Sequence, residues 1–245
     1  MSVSRIAIAA LFGVAVATSA HGQNSTDFPP QGPTRSEFQR RSSVGISLIQ
    51  SRPTGAFQQN VGFGYGANFA YLFRLDKAGI LSLRTDAGFT IYGNEDFETP
   101  LSPTVGGRIR VDVQTSNSIF PVSIGPQLTW PRGRVRPYAN GGFAAQFFVT
   151  SSSVEGSDDD WEFANTTNHS DWTPSWFAGG GLYVPVYQGK TAVLLDLGVQ
   201  YLNGGRAQYL RPGSIEDLPN AQIRITPLES ETHMLLVRVG VKIDL

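Results

Sequence analysis

The sequence predicts an all-β fold, an eight-stranded antiparallel up-and-down β-barrel. Three observations predict it. Apolar residues recur with a period of two through most of residues 42–245. The connections between these runs alternate between tight glycine-bearing turns and long polar loops. No apolar run reaches the roughly 18 residues that a spanning helix needs.

The elements follow in order. Val44–Gln50 (VGISLIQ) is the first and weakest strand. Val61–Asp76 is the clearest. Val61, Phe63, Tyr65, Ala67, Phe69, Tyr71, Phe73 and Leu75 alternate with Gly62, Gly64, Gly66, Asn68, Ala70, Leu72, Arg74 and Asp76. Successive side chains of a strand point to opposite faces, so one face is large and apolar and the other small or polar. The pattern recurs in Leu81–Ile91, Phe120–Trp130, Val135–Val149, Leu182–Val186, Val193–Tyr201 and Leu235–Leu245. That makes eight strands. One stretch is irregular. Ile109, Val111 and Val113 are apolar at odd positions, whereas Phe120, Val122 and Ile124 are apolar at even ones. A regular strand keeps its parity, so a bulge or turn is expected within Gln114–Ile119. The stretch 106–114 then reads either as a strand extension or as an arm of a loop hairpin.

Asp76–Gly79, Pro131–Arg134 and Gln188–Lys190 are the tight turns. Ser51–Asn60, Asn94–Thr104, Ser153–Asp171 and Gly205–Glu231 are the long connections. In a meander, short turns fall at one end and long loops at the other, and this order is kept throughout. Gln222–Thr226 (QIRIT) alternates and reads as a short hairpin arm within the last loop.

Volume decides which face is inside. An eight-stranded barrel is only just wide enough for side chains. The apolar face carries Phe63, Tyr65, Phe69, Tyr71, Phe73, Phe89, Phe120, Trp130, Phe143, Phe147 and Tyr201, too much bulk for that lumen. The opposite face is rich in Gly, Ala, Ser, Thr and Asn. The large apolar face therefore points outward, which is tolerable around a whole barrel only in lipid. The expectation is a transmembrane barrel with short periplasmic turns, long extracellular loops and aromatic girdles. A soluble lipocalin-like periplasmic barrel, apolar face inward, is the reserve reading.

The N-terminal segment agrees with export. Residues 1–22 read as a signal peptide, with Arg5, the short apolar run Ile6–Ala17, and small residues before cleavage after Ala20 or Gly22. Residues 23–41 are polar and proline-bearing and read as a flexible periplasmic leader. Residues 42–245 are the barrel. Composition narrows the function. The 245-residue chain has 19 Lys+Arg, 20 Asp+Glu, a formal charge of −1 and no cysteine. That gives no basic stripe for nucleic acid, no disulfide framework and no thiolate metal site.

Signal, eight alternating strands and the C-terminal strand LLVRVGVKIDL resemble the small outer-membrane β-barrel superfamily, the OmpA-transmembrane, OmpX and opacity-like proteins. The likeness spans about residues 42–245. It implies localisation in the bacterial outer membrane, contact with outer-membrane lipids and lipopolysaccharide, and insertion by the outer-membrane assembly machinery. A monomer is expected. Such barrels usually end in an aromatic residue, and this chain ends in Leu245.

The inward face carries Arg84, Asp86, Arg136, Asn140, Gln146, Asp196, Gln200, Arg238, Lys242 and Asp244. Charges of both signs in a narrow lumen are expected to pair as a structural polar network, because an unpaired buried charge is costly. A selective pore or small-molecule transport barrel is the alternative. No catalytic, cofactor or metal site is expected. Small-barrel lipid A deacylases use a His-x-Ser pair, whereas His169 is followed directly by Ser170 and His233 by Met234. The acidic run Glu155–Glu162 lacks EF-hand spacing and reads as a solvated loop tip. Asn165–Thr167 fits a glycosylation pattern that a bacterial context leaves unused. The long loops remain, as a passive surface or as an adhesive one that takes an extracellular ligand.

Overall fold

The computed structural model describes residues 41–100, 110–156, 159–188, 191–218 and 222–245. The signal segment 1–22 and all of the leader but Arg41 lie outside the described residues.

Eight strands close into one antiparallel barrel. They are β1 (Ser42–Pro53), β2 (Gly64–Arg74), β3 (Leu81–Pro100), β4 (Arg110–Thr129), β5 (Arg136–Gly156), β6 (Asp159–Gln188), β7 (Ala192–Gly204) and β12 (Met234–Asp244). Four short strands stand between β7 and β12. Of these, β8 (Arg206–Tyr209) pairs with β11 (Leu228–Glu231), and β9 (Ile215–Leu218) pairs with β10 (Gln222–Ile225). The QIRIT segment is thus one arm of a two-stranded hairpin. Closure is direct. Gly45 in β1 faces Ala70 of β2 on one side and Lys242 of β12 on the other. Both β1 and β12 start or end at the short-turn end, beside the β2–β3 turn.

Parity sorts the side chains as their chemistry demands. Asn68, Ala70 and Leu72 of β2 are buried, while Tyr65, Phe69, Tyr71 and Phe73 between them are exposed. Every barrel strand does the same, so the apolar face lies on the outside of the whole circumference. Glycines let the wall close. A Cβ at Gly66 would collide with the Phe89 carbonyl of β3, and one at Gly125 with the Gly141 carbonyl of β5.

Several expectations change. β2 begins at Gly64, not Val61. Val61 is buried behind a single 3-10 turn, Phe57–Gln59, that tucks into the barrel mouth. No bulge occurs within Gln114–Ile119. β4 keeps an unbroken register with β5 from Val111↔Gly156 to Ile124↔Phe143. The irregularity sits across the ladder in β3, where the register slips between Ile91 and Gly93 and Tyr92 is the extra residue. Parity never changes in β4: Val113 and Ile119 stand on the same face as Thr115 and Asn117. What changes is which face is apolar, because the upper part of the strand leaves the zone of the outer apolar belt. Of the stretch 106–114, residues 110–114 are therefore strand extension, and 106–109 lie outside the described residues. Much of the predicted loop 153–171 is likewise strand. β5 runs 21 residues and β6 runs 30, and both continue outward as one long hairpin. Pro174 and Gly179–Gly181 blur the period of β6, which is why the sequence marked only Leu182–Val186.

Candidate functional site in the barrel interior

The interior is filled in three layers. The middle layer is charged. Arg84 of β3 grips Asp86 with two parallel bonds, Nε to Oδ2 at 2.8 Å and Nη2 to Oδ1 at 2.7 Å. Two residues apart on one strand, the pair shares the inward face. Asn68 Nδ2 donates to the same Asp86 Oδ1 at 3.0 Å, and Arg238 Nη1 of β12 stands 3.7 Å from it. The second fork arm of Arg84 donates to Gln127 Oε1 and to the Tyr183 hydroxyl, each at 3.1 Å. Arg84 also lies 3.9 Å from Asp196 of β7. Asp196 accepts from the Tyr138 hydroxyl at 2.6 Å. Arg238 donates to Gln200 Oε1 at 2.9 Å and to the Tyr138 oxygen at 3.3 Å. The Tyr138 and Tyr183 rings stack with centroids 4.4 Å apart. One connected web of arginines, aspartates, amides and phenols thus crosses the lumen between β2, β3, β4, β5, β6, β7 and β12. Arg84 is 1% exposed, so its charge depends wholly on these partners.

The layer at the short-turn end is smaller. Lys242 Nζ meets Asp244 Oδ1 at 2.5 Å and lies 5.0 Å from the centre of the Tyr183 ring. Ser43 Oγ donates to the same carboxylate oxygen at 2.6 Å. Arg136 is buried nearby, on the wall of a small cavity with Lys242 and Asp244.

The layer at the long-loop end is apolar. Phe57, Tyr92, Phe148, Phe177, Leu202, Tyr209, Met234 and Leu236 pack as one buried cluster. Phe57 meets Tyr209 and Phe148 edge-on, with centroids 5.0 and 5.9 Å apart. Polar atoms of the cap are tied off. Tyr92 donates to the Leu210 carbonyl at 2.8 Å, and Asn60 to the Tyr209 hydroxyl at 3.1 Å. Gln146 lies just beneath and donates to Ser175 Oγ at 2.7 Å and to the Thr232 carbonyl at 3.2 Å.

Of the inward residues named from the sequence, Arg84, Asp86, Asp196, Gln200 and Arg238 share the central web. Lys242, Asp244 and Arg136 lie below it and Gln146 above. Asn140 is buried, but neither of its amide atoms finds a hydrogen-bond partner among the described residues. Four members were not counted in the lumen network from the sequence: Asn68, Gln127, Tyr138 and Tyr183. All four stand on inward positions of their strands, so parity was the available signal. The apolar cap was missed outright. Period two tells inside from outside but does not mark depth.

His169 reaches the Gln208 carbonyl at 3.3 Å and His233 reaches Glu231 at 3.1 Å, both at the long-loop end. Among the described residues no group of three or more His, Asp or Glu side chains could hold a metal. The side chains of the acidic run Glu155–Glu162 lie outside the described residues.

Neither a protein-family model nor a curated protein matches the chain. Solved structures do. Ail, the attachment invasion locus protein of Yersinia pestis, matches in a complex with the heparin analogue sucrose octasulfate. The identity is 13% and the TM-score 0.45, over 84% of this chain and 99% of that one. Neisserial surface protein A matches at 12% identity and a TM-score of 0.40, over 83% and 97%. A major outer membrane protein from Thermus thermophilus matches at 14% and 0.42, over 82% and 98%. At these values the architecture rests on the strand register of the chain itself.

Proposed function

We propose that this chain is a non-enzymatic bacterial outer-membrane β-barrel protein. Its lumen is closed by the polar web and the apolar cap, and its outward hairpins form a surface for structural or adhesive contact. One observation carries the membrane reading: all eight barrel strands expose large apolar side chains on the outer wall. Leu48 in β1, Phe69 in β2, Phe89 in β3, Ile124 in β4, Phe143 in β5, Trp176 in β6, Val199 in β7 and Val239 in β12 complete the circle. Phe143 is 78% exposed and Leu48 64%. Water would not tolerate such a belt, whereas hydrocarbon removes its cost. Tyr71, Phe73 and Trp130 sit at the short-turn rim and Phe63, Tyr65 and Trp176 at the other, where amphipathic rings suit the headgroup level. A soluble lipocalin-like barrel would need the opposite sorting.

The lumen supports a closed barrel rather than a pore. Charges of both signs meet at hydrogen-bond distance across it, and the cap covers them at the long-loop end. The surface role falls to β5–β6, β3–β4 and the β8–β11 region, which project past the belt. Membrane fractionation with heat-modifiable migration in detergent gels tests the reading. The protein is expected in the envelope fraction, with a mobility that shifts on boiling. Recovery of the mature chain in the soluble fraction would overturn it.

A further inference from the structure

The foot of the β3–β4 seam carries a recess on the outer wall. A cavity of about 200 Å³ lies there, between the turn that joins β2 to β3 and the turn that joins β4 to β5. Ala78 and Ile80 line it from the first turn, and Trp130, Pro131 and Arg132 from the second. Its wall is apolar apart from one guanidinium and the Trp130 indole N–H. Trp130 is 67% exposed, and Ile80 beside it is exposed too. Arg132 is exposed and has no hydrogen bond or ion pair among the described residues. Lys77, the chain neighbour of Ala78, is also exposed. The one carboxylate of the first turn, Asp76, already accepts from the Ile80 and Leu81 amides at 3.2 and 2.9 Å. Directly above the recess Leu81 stands opposite Leu128, and Leu83, Ile124 and Leu128 are exposed on the same stretch of wall.

We propose that this recess holds one acidic glycerophospholipid from the leaflet at the short-turn end, its phosphodiester on Arg132 and its acyl chains along the β3–β4 seam. The inference rests on the membrane reading of the outer wall. Under that reading the chemistry changes with depth as a lipid does. Arg132 stands at the foot, where a guanidinium fork suits phosphate oxygens. The Trp130 ring follows, amphipathic and suited to the carbonyl level. Ile80, Leu128, Leu83 and Ile124 continue upward as an apolar track. The charge selects the headgroup. No carboxylate lines the recess, so the ammonium of a zwitterionic headgroup finds no partner on its wall. A headgroup of net negative charge keeps the full attraction of Arg132 and Lys77.

Lipid quenching of tryptophan fluorescence tests this. Trp161, Trp172 and Trp176 all belong to β6, so replacing these three by Phe leaves Trp130 as the sole tryptophan of the four. Such barrels are reconstituted into vesicles of mixed phosphatidylcholine and phosphatidylglycerol, with one lipid or the other brominated on its acyl chains near the carbonyl. Phosphatidylglycerol should win the site beside Trp130 by about fivefold, the order expected of one basic side chain at a membrane surface. Arg132→Gln should bring the two lipids close to equality, and Arg132→Lys should keep most of the preference. Arg52→Gln, at the opposite rim, should leave it unchanged. Heat-modifiable migration reports whether each variant has folded. Should the tryptophan replacements block folding, native mass spectrometry of the barrel with all four tryptophans makes the same comparison. One retained phosphatidylglycerol is expected, lost in Arg132→Gln, and equal retention in the two would overturn the proposal. Equal quenching by the two lipids in the Arg132 chain, or a preference that survives Arg132→Gln, would overturn it as well. Trp130 quenched by neither lipid would remove the membrane reading itself, and this site with it.

Discussion

Asp86 is the residue on which the interior turns. It accepts both arms of Arg84, takes a third bond from Asn68 and stands beside Arg238. Removing it leaves a buried arginine without its carboxylate, which costs about 3–5 kcal/mol in comparable buried pairs. Asp86→Ala should therefore lower the unfolding free energy in detergent by that order, read from urea titrations of the boiled-to-folded gel shift. A replacement that removes both charges, Arg84→Met with Asp86→Leu, should lose much less, because no charge is left stranded. Near-equal losses in the two variants would mean that the ion pair is not what matters. Gly66 tests the wall. A Cβ there collides with the Phe89 carbonyl across the ladder, so Gly66→Val should block folding to the heat-modifiable form. Much of the site was legible residue by residue, since parity alone put Arg84, Asp86, Asp196 and Arg238 on one side. Tyr138 and Tyr183 were harder to see. A tyrosine on an inward position reads as ordinary until the lumen shows that its hydroxyl is needed to reach Asp196 or Arg84.

Among the elements, the strands with clean alternation were the readable ones. β2 and β12 stood out because one face is aromatic or aliphatic and the other small or charged. β6 was read as a short strand, and the outer parts of β3, from Asn94 on, of β5 and of β6 as loops. The reason is physical. Beyond the apolar belt both faces of a hairpin meet polar surroundings, so alternation fades although the backbone pairing continues. The Tyr92 bulge was misplaced for a related cause: its signature lies in the partner ladder, not in the β4 sequence that showed the change of face. These outward hairpins are separable from the barrel. Replacing residues 152–166 by a two-residue Asn-Gly turn should leave the heat-modifiable shift intact, because the buried interior below Thr150 is untouched. Loss of the folded band would show that the hairpin supports the barrel itself. The region between β7 and β12 is different. Tyr209 is wholly buried against Phe57 and Phe148, so Tyr209→Ala should open the cap and lower stability by about 3–5 kcal/mol, the usual range for emptying an aromatic site.

The whole molecule is a wall turned inside out relative to a soluble barrel: charge within, hydrocarbon side chains without. Its closed interior predicts electrical silence. In planar bilayers the wild-type barrel should show no stable openings, since an eight-stranded lumen filled by side chains leaves no aqueous path. Steady conductance abolished by neutralising Arg238 would replace the closed-lumen reading with a pore. The central claim, that the apolar belt meets lipid, can be read most directly along β2. The chain has no cysteine, so single cysteines report without background. Spin labels placed one at a time at Tyr65 through Phe73, in barrels reconstituted into phospholipid vesicles, should alternate strictly. Labels at Ala67, Phe69 and Tyr71 should be accessible to oxygen dissolved in the bilayer and shielded from a water-soluble nickel relaxant, and labels at Asn68 and Ala70 should be shielded from both. Equal access of the nickel reagent to the outward positions would show that the belt faces water and would contradict the account.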